Sequence, residues 1–218
     1  MNKVHKDNLL SVDNLSITFD QRGTKTEAVK SISFDLKKGQ RLGIVGESGS
    51  GKSVTSLSIL KLISSNHSQV TGAITFDNDG HHIDVQKTEE KQLYKIRGRK
   101  ISMIFQEPMN ALNPVRICGS QVKEVLDVHD IGAKSERKSA VLSLFEKVQL
   151  PDVDRIYNSY PYELSGGQLQ RVCIAMAIAT SPDILICDEP TTALDVTIQK
   201  EVVDLICLLY TSPSPRDS

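Results

Sequence analysis

The sequence has no apolar run that approaches the roughly 20 residues needed to cross a bilayer. It contains no tryptophan. Its four cysteines show no CxxC spacing, so we expect reduced thiols of a cytosolic protein rather than disulfides or a metal site. There is no large excess of charge of either sign, because 26 Lys and Arg stand against 27 Asp and Glu. That balance argues against a protein whose main partner is a nucleic-acid backbone. The polar segment Met1 to Asn8 has no signal-peptide pattern.

What the sequence does contain is an alternation of predicted strands and helices. Period-2 apolar patterns predict β-structure in the first forty residues, and a hairpin with an Asp-Gly turn is predicted at Asp79 and Gly80. From about Pro114 to Ala179 the pattern becomes helical. Three short apolar runs predict buried strands: Leu42 to Val45, Ile101 to Phe105 and Ile184 to Cys187. This arrangement predicts an α/β core with a parallel sheet.

The first chemical motif is a glycine-rich loop, Gly46 to Ser53, between a predicted strand and a helix predicted over Val54 to Leu62. It fits G-x-x-x-x-G-K-[ST], a pattern in which glycines let backbone N–H groups and a helix N-terminus face an anion. Lys52 is expected to reach the β- and γ-phosphates of a nucleotide, and the Ser53 hydroxyl to bind Mg²⁺. The predicted contacts are Gly46, Glu47, Ser48, Gly49, Ser50, Gly51, Lys52, Ser53 and Val54. A Gly/Ser loop without a ligand is the alternative.

A second motif follows the apolar run that ends at Cys187 and consists of two carboxylates, Asp188 and Glu189. Carboxylates at the end of a buried strand cost free energy unless a ligand or a reaction uses them. Asp188 is suited to an outer contact with Mg²⁺, and Glu189 to polarising an attacking water as a base. The simpler alternative is an acidic turn, since many strands end in one.

The third motif is Leu164-Ser165-Gly166-Gly167-Gln168, at the start of a predicted helix. Ser165 and Gln168 fit a capping box, which by itself would explain them as a helix start. A helix N-terminus with bare N–H groups and a serine hydroxyl is also a receptor for phosphate. The sequence therefore has two candidate phosphate receptors that lie far apart along the chain.

Leu-Ser-Gly-Gly-Gln resembles the signature of the ABC ATPases, and the order of the motifs is similar to that family. The resemblance makes Gln106 the Q-loop glutamine, which would bind Mg²⁺, sense the γ-phosphate and join Glu189 and Lys52 in catalysis. Thr192 to Asp195 resembles the D-loop, whose aspartate would organise a dimer interface. The resemblance also implies a P-loop NTPase core with a mainly parallel sheet, an N-terminal antiparallel β subdomain, and a helical subdomain inserted at about 114–179.

Two ABC domains of the family pack head to tail, and each nucleotide lies between one glycine loop and the signature of the other domain. By that resemblance the partner's nucleotide would contact four signature residues, namely Ser165, Gly166, Gly167 and Gln168. Phe19 resembles the aromatic residue that stacks on adenine. A core phenylalanine on a strand is the alternative for Phe19.

Three stretches narrow the resemblance to the oligopeptide, dipeptide, nickel and glutathione importers: Gly46 to Ser53, Gln106 to Pro114 and Asp188 to Thr197. It implies an ATPase subunit with a domain at 9–206, which uses Mg-ATP to drive the import of peptides or a related small solute. The implied partners are a second ABC ATPase domain, membrane permease subunits and, indirectly, an extracytoplasmic solute-binding protein. The implied location is the cytoplasmic face of the inner or plasma membrane, with peripheral attachment.

The sequence departs from the family after Asp195, because none of its five histidines lies beyond that residue, where the family carries a switch histidine. From Cys207 the sequence changes to a Ser/Pro run, and one reverse translation of that run resembles a sequencing adapter read in frame. We therefore expect 207–218 to be a non-native tail and the native protein to continue beyond about Ile206. A native disordered tail is the alternative.

Two other functions stay open at this stage. One is a soluble ABC ATPase with tandem domains that acts in translation, and the other is an ATP-binding fragment without turnover. Neighbouring genes for permeases would favour transport, whereas co-sedimentation with ribosomes would favour translation.

Overall fold

The computed structural model describes residues 8–21, 23–64, 66–191 and 196–211. The chain divides into two compact units, the first spanning 1–97 and the second 98–218. In the ranges just given, no helix is both long enough and apolar enough to cross a bilayer.

The first unit is built on an antiparallel sheet with the strand order β2–β1–β3–β4. Its strands are β1 (Asn8–Gln21), β2 (Thr24–Lys37), β3 (Ser68–Asn78) and β4 (His81–Asp84). The apolar residues of β1 and β3 that form its core are at most 2% exposed: Leu10, Val12, Leu15, Ile17, Ile74 and Phe76. The predicted N-terminal antiparallel β-structure is confirmed.

The predicted hairpin is also present, between β3 and β4. Asn78 lies opposite His81 in the antiparallel ladder, so Asp79 and Gly80 form the turn. Their φ angles are 54° and 88°. Two consecutive residues with positive φ are what a type I′ turn requires, and an Asp-Gly pair supplies them at low cost.

The predicted buried strand from Leu42 to Val45 is not formed, so this prediction is wrong. Residues 40–47 have no regular secondary structure, and Leu42, Ile44 and Val45 are 43%, 46% and 93% exposed. A buried parallel strand needs neighbouring strands to bond its N–H and C=O groups and to cover its side chains. Within the described ranges the only parallel pair is β5 with β6, and this run joins no ladder, so its apolar side chains remain in solvent.

Two helices of the first unit follow the glycine loop and the hairpin, α1 (Lys52–Ile59) and α2 (Glu90–Leu93). Arg97 holds the C-terminal end of α1. Its Nε donates to the carbonyl oxygen of Leu60 at 2.7 Å, and its Nη2 to that of Lys61 at 2.8 Å. A guanidinium at this position satisfies terminal carbonyl groups and complements the negative end of the helix dipole.

The second unit contains a parallel pair, β5 (Ile101–Ile104) and β6 (Ile184–Cys187), in which the first and last residues of the two strands lie opposite each other. Both strands lie where the sequence predicts them, with β5 one residue shorter. The helices of this unit are α3 (Pro108–Ala111), α4 (Cys118–Val128), α5 (Arg137–Lys147), α6 (Val153–Asn158), α7 (Gly166–Ile178) and α8 (Val196–Thr211). The α/β class predicted from the sequence is confirmed, although the parallel part seen here has two strands.

The core of the second unit forms around α7. Leu169, Val172 and Ile174 of this helix are at most 2% exposed. They belong to one apolar cluster with Val122 of α4 and Phe145 of α5, each 0% exposed. Side chains of α8 join the same cluster. Packing on several sides therefore fixes α7, and with it the position of its N-terminus.

Candidate functional site

The glycine loop enters α1 through a left-handed residue. Gly51 is the N-cap of the helix, with a φ of 90° and no side-chain hydrogen bond in the cap, and Gly49 has a φ of 80°. A Cβ on Gly51 would lie 2.4 Å from the carbonyl oxygen of Ala28, so a larger residue would not fit without a shift of β2. The helix begins at Lys52 and ends at Ile59, which corrects the predicted bounds of Val54 to Leu62.

Lys52 folds back over the loop that precedes it. Its Nζ donates to the carbonyl oxygens of Gly46 at 2.8 Å and Glu47 at 2.9 Å. Gly46 to Ser50 are exposed, and the first turn of the helix holds three half-buried residues: Lys52, Ser53 and Val54. Glycines with positive φ, exposed backbone and an ammonium group held at the loop fit the phosphates of a nucleotide.

Phe19 is partly exposed, unlike the buried apolar residues earlier in β1. It pairs with Thr26 on β2, two residues before Ala28, whose carbonyl oxygen borders Gly51. Two residues of a strand span roughly 7 Å, so the ring lies at the same end of the sheet as the glycine loop. Stacking on adenine stays a prediction.

Gln106 and Glu189 are 83 positions apart and meet in the second unit. Gln106 follows β5 and Glu189 follows β6. Because the two strands are parallel, their C-terminal ends lie side by side. Nε2 of Gln106 donates to Oε2 of Glu189 at 3.1 Å. The structure therefore places an amide and a carboxylate that were predicted to be catalytic within hydrogen-bond distance.

Asp188 continues the parallel ladder, because its N–H donates to the carbonyl oxygen of Ile104 at 3.0 Å. It is 8% exposed. Glu189 then leaves the strand with a φ of 45°, a left-handed conformation that costs a residue with a side chain roughly 1–2 kcal/mol. The turn directs this second carboxylate toward Gln106. Backbone strain that persists in a folded protein is concentrated at functional sites.

The signature residues form the first turn of α7 and its cap. Oγ of Ser165 accepts from the N–H of Gln168 at 3.3 Å, and Oε1 of Gln168 accepts from the N–H of Ser165 at 3.2 Å. The predicted capping box is confirmed. Ser165 and Gly166 are exposed, whereas Gly167 is buried. The cap uses the serine hydroxyl as an acceptor, so a capped serine is still able to donate its proton to a phosphate.

The predicted site residues thus fall into three groups. Gln106, Asp188 and Glu189 lie together at the ends of β5 and β6, and the signature lies at the start of α7 in the same unit. The glycine loop and Phe19 belong to the first unit. The predicted D-loop, Thr192 to Asp195, lies outside the described residues. The roles assigned to all of these residues stay predictions.

An apolar cleft in the second unit was not found from the sequence. It has a volume of about 360 Å³, and β5, α4 and α7 bound it with side chains that include Phe105, Val125 and Met176. Nearby in the chain, Met109 of α3 and Val115 are 55% and 77% exposed. The cleft could have been predicted from the apolar residues in the loop after β5, because a surface loop with no partner rarely carries several of them.

Comparison with known proteins agrees with this geometry. Residues 29–192 match the family model described as ABC transporter. The chain is 43% identical over 203 residues to the oligopeptide transport ATP-binding protein OppD of Lactococcus lactis subsp. cremoris (strain SK11). It is 48% identical over 198 residues to the dipeptide transport ATP-binding protein DppD of Bacillus subtilis (strain 168).

These alignments cover 93% and 90% of this chain but only 59% and 58% of the two relatives. The chain therefore spans less than two thirds of the length of these relatives. Among solved structures, a dimeric ATP-binding cassette in a post-hydrolysis state bound to ADP and Pi superposes with a TM-score of 0.80 at 31% identity. That match covers 93% of this chain and 83% of the other. The match to the family model, over 29–192, shows that this chain belongs to the ABC transporter family.

Proposed function

We propose that this chain is the ATP-binding part of an ABC importer and couples ATP binding and hydrolysis to the uptake of peptides or a related small solute. The hydrogen bond between Gln106 and Glu189 carries the proposal, because it joins a polar amide to a carboxylate suited to act as a base. Relatives named for oligopeptide and dipeptide transport support the choice of solute.

The first unit would hold the phosphates. The exposed loop from Gly46 to Ser50 offers backbone N–H groups, and the amino group of Lys52 adds a positive charge at the β- and γ-phosphates. Ser53, at the second position of α1, would supply a hydroxyl ligand to Mg²⁺. Asp188 and Gln106 of the second unit are the other proposed metal contacts.

ATP supplies a phosphoanhydride bond whose hydrolysis releases free energy. Glu189 would accept a hydrogen bond from the attacking water and polarise it, with the carboxylate held in place by the amide of Gln106. Lys52 would stabilise negative charge that develops on the transferred phosphoryl group. A carboxylate that is oriented before the reaction needs no rearrangement when the water attacks.

A second ABC domain would complete the site. The exposed Ser165 and Gly166 at the positive end of α7 would receive the γ-phosphate of a nucleotide bound to the partner's glycine loop. The solved relative with a dimeric cassette supports a dimer.

The apolar cleft between β5, α4 and α7 is the proposed contact with the membrane subunits. Met109 and Val115, which lie close to Gln106 in the chain, are exposed apolar residues. A helix from a permease could insert apolar side chains into such a cleft. Movement of Gln106 after hydrolysis would then reach the membrane subunits, and the chain would be located at the cytoplasmic membrane face.

The test is the Glu189→Gln variant, measured for ATP binding and for phosphate release at saturating Mg-ATP. We expect phosphate release to fall about 100-fold or more, since removal of a general base costs roughly 10²–10⁴ in rate. ATP binding should change little, because the phosphate contacts remain. Glu146→Gln on the exposed surface of α5 is the matched control and should have the wild-type rate.

Equal rates in wild type and Glu189→Gln would refute Glu189 as the base. No ATP binding by the wild-type chain would refute the proposed function as a whole.

A further inference from the structure

Two side-chain bonds connect the Q-loop to α8 by way of the proposed base. The first is the bond from Gln106 to Glu189, described above. The second joins residues on either side of the predicted D-loop, because Nε2 of Gln199 donates to the carbonyl oxygen of Thr191 at 3.0 Å. Thr191 lies two residues after Glu189, so the first turns of α8 are tied to the backbone next to that carboxylate.

Two further bonds connect α8 to the signature helix and the signature helix to the Q-loop. Nη2 of Arg171 donates to Oε2 of Glu201 on α8 at 2.9 Å. Sγ of Cys173 donates to the carbonyl oxygen of Pro108 at 3.7 Å. Burial raises the pKa of the Cys173 thiol to about 12, so the thiol keeps the proton that it donates.

The four bonds close a ring within the second unit. Each chain segment enters it at two residues spaced two apart: Gln106 and Pro108, Glu189 and Thr191, Gln199 and Glu201, and Arg171 and Cys173. Buried side chains of α7 and α8 also belong to the same apolar cluster. These four hydrogen bonds therefore connect the Q-loop, the proposed base, α8 and the signature helix.

Arg171 is the most buried charged member of this ring, and it also forms a hydrogen bond outside the ring. Its side chain is 11% exposed, and Nη1 donates to the carbonyl oxygen of Val148, the C-cap of α5, at 2.9 Å. The guanidinium fork thus holds α5 and α8 against α7 at the same time. Lysine has one amino group and no planar fork, so it cannot reproduce both contacts in this geometry.

We propose that Arg171 and Glu201 are positioning residues that hold the signature turn, at the start of α7, at a fixed position relative to Glu189. The inference rests on the proposed function for its catalytic meaning. The base acts on one nucleotide and the signature on the nucleotide of the partner domain. A fixed distance between Glu189 and the signature turn would couple the two nucleotide sites, so that a change at one site alters the free energy of binding at the other.

The first experiment compares amide hydrogen exchange in Glu201→Gln and in wild type, without nucleotide. We expect exchange to rise about 3- to 30-fold in peptides covering 165–170 and 187–191, as expected for the loss of roughly 0.5–2 kcal/mol of coupling. Asp130→Asn is the matched control. Asp130 is also an exposed carboxylate on a buried arginine, Arg137, but that pair lies outside the ring.

Unchanged exchange in both peptides of Glu201→Gln would overturn the proposal. So would an equal rise in Asp130→Asn, because the effect would then be general loosening. Arg171→Lys provides a second variant, which keeps the charge. We expect it to exchange like Glu201→Gln at 187–191, and wild-type exchange there would contradict the role of the fork.

The second measurement separates this inference from the proposed function. Glu201→Gln should lower kcat for ATP by about 3- to 30-fold and leave KM within about twofold. If Glu189→Gln stops turnover while Glu201→Gln changes neither kcat nor exchange, only the inference fails. If the wild-type chain binds no ATP, the proposed function fails, and the exchange result, which is measured without nucleotide, still decides whether the ring holds the signature turn.

Discussion

Helices α1 and α7 both begin at a motif that the sequence assigns to phosphate, yet they are built in opposite ways. The N-cap of α1 is a left-handed glycine without a side-chain cap. The N-cap of α7 is Ser165, which forms a reciprocal capping box with Gln168. An uncapped N-terminus offers its backbone N–H groups to a ligand, whereas a capped one has already satisfied part of them. The first would suit tight capture of phosphates, and the second would suit a weaker contact of the kind proposed between two ABC domains.

The two helices also differ in how much of their length is buried. The eight residues of α1 include three buried ones, Thr55, Ser58 and Ile59. In α7, ten of 13 residues are buried. Helix α1 therefore depends more on its ends, where Gly51 contacts β2 and Arg97 binds the last carbonyl groups. Helix α7 presents its first turn from a well-packed helix, which would suit the proposed contact with a partner domain.

The largest effect should come from Lys52→Ala in the first unit. It removes the ammonium group at the loop, and a hydrogen bond to a charged group contributes roughly 1.5–3 kcal/mol. ATP affinity, measured by calorimetric titration, should fall about 10- to 150-fold. Lys91→Ala, on the exposed surface of α2 in the same unit, is the control and should bind ATP like wild type. Wild-type affinity in Lys52→Ala would remove the contrast between the two helices.

An intermediate effect is expected for Ser165→Ala in the second unit. Loss of the N-cap should lower the free energy of unfolding by about 1 kcal/mol, measured by urea denaturation, while ATP affinity at the glycine loop stays unchanged. Ser165→Asp separates the two roles of the residue. Aspartate caps a helix well, so stability should be retained, but its negative charge would repel the partner's phosphate and prevent an ATP-dependent dimer in light scattering.

Equal stability of wild type and Ser165→Ala would contradict the cap. An ATP-dependent dimer of Ser165→Asp that matches wild type would contradict phosphate binding at the signature.

The smallest effect is expected for Phe19→Ala. A partly exposed aromatic ring that stacks on a base contributes about 1 kcal/mol, so ATP affinity should fall about fivefold. Phe19→Tyr keeps the ring and should bind like wild type. A lower thermal midpoint with unchanged ATP affinity would instead support a core role for Phe19. The proposed contacts of the first unit with ATP would then be those with the phosphates.

Local features of the fold could be predicted from the sequence because local chemistry determines them. The Asp-Gly turn at residues 79 and 80 and the capping box at Ser165 both follow from short-range rules, and β6 lies on the residues predicted for it. The run Leu42 to Val45 is a short apolar segment like β6 but has no strand partner in the described ranges. Composition indicates that a segment is able to form a strand, whereas pairing decides whether it does.

The candidate site shows the same limit. The residue types of Gln106 and Glu189 could be read from motifs, but their contact depends on the parallel register of β5 and β6. The positioning role proposed for Arg171 could not be predicted from the sequence, because its partners Val148 and Glu201 lie 23 and 30 positions away. Neither distance corresponds to a helical or strand period, so no pattern in the sequence indicates these contacts.

The exposed run from Leu42 to Val45 also has a consequence for the behaviour of the chain in solution. Three neighbouring apolar side chains in a segment without regular secondary structure form a surface to which other polypeptides could adhere, because association would remove the side chains from water. The run directly precedes the glycine loop. Self-association at these residues would therefore reduce the concentration of chains whose loop is accessible to nucleotide, so the apparent number of binding sites would depend on how dilute the sample is.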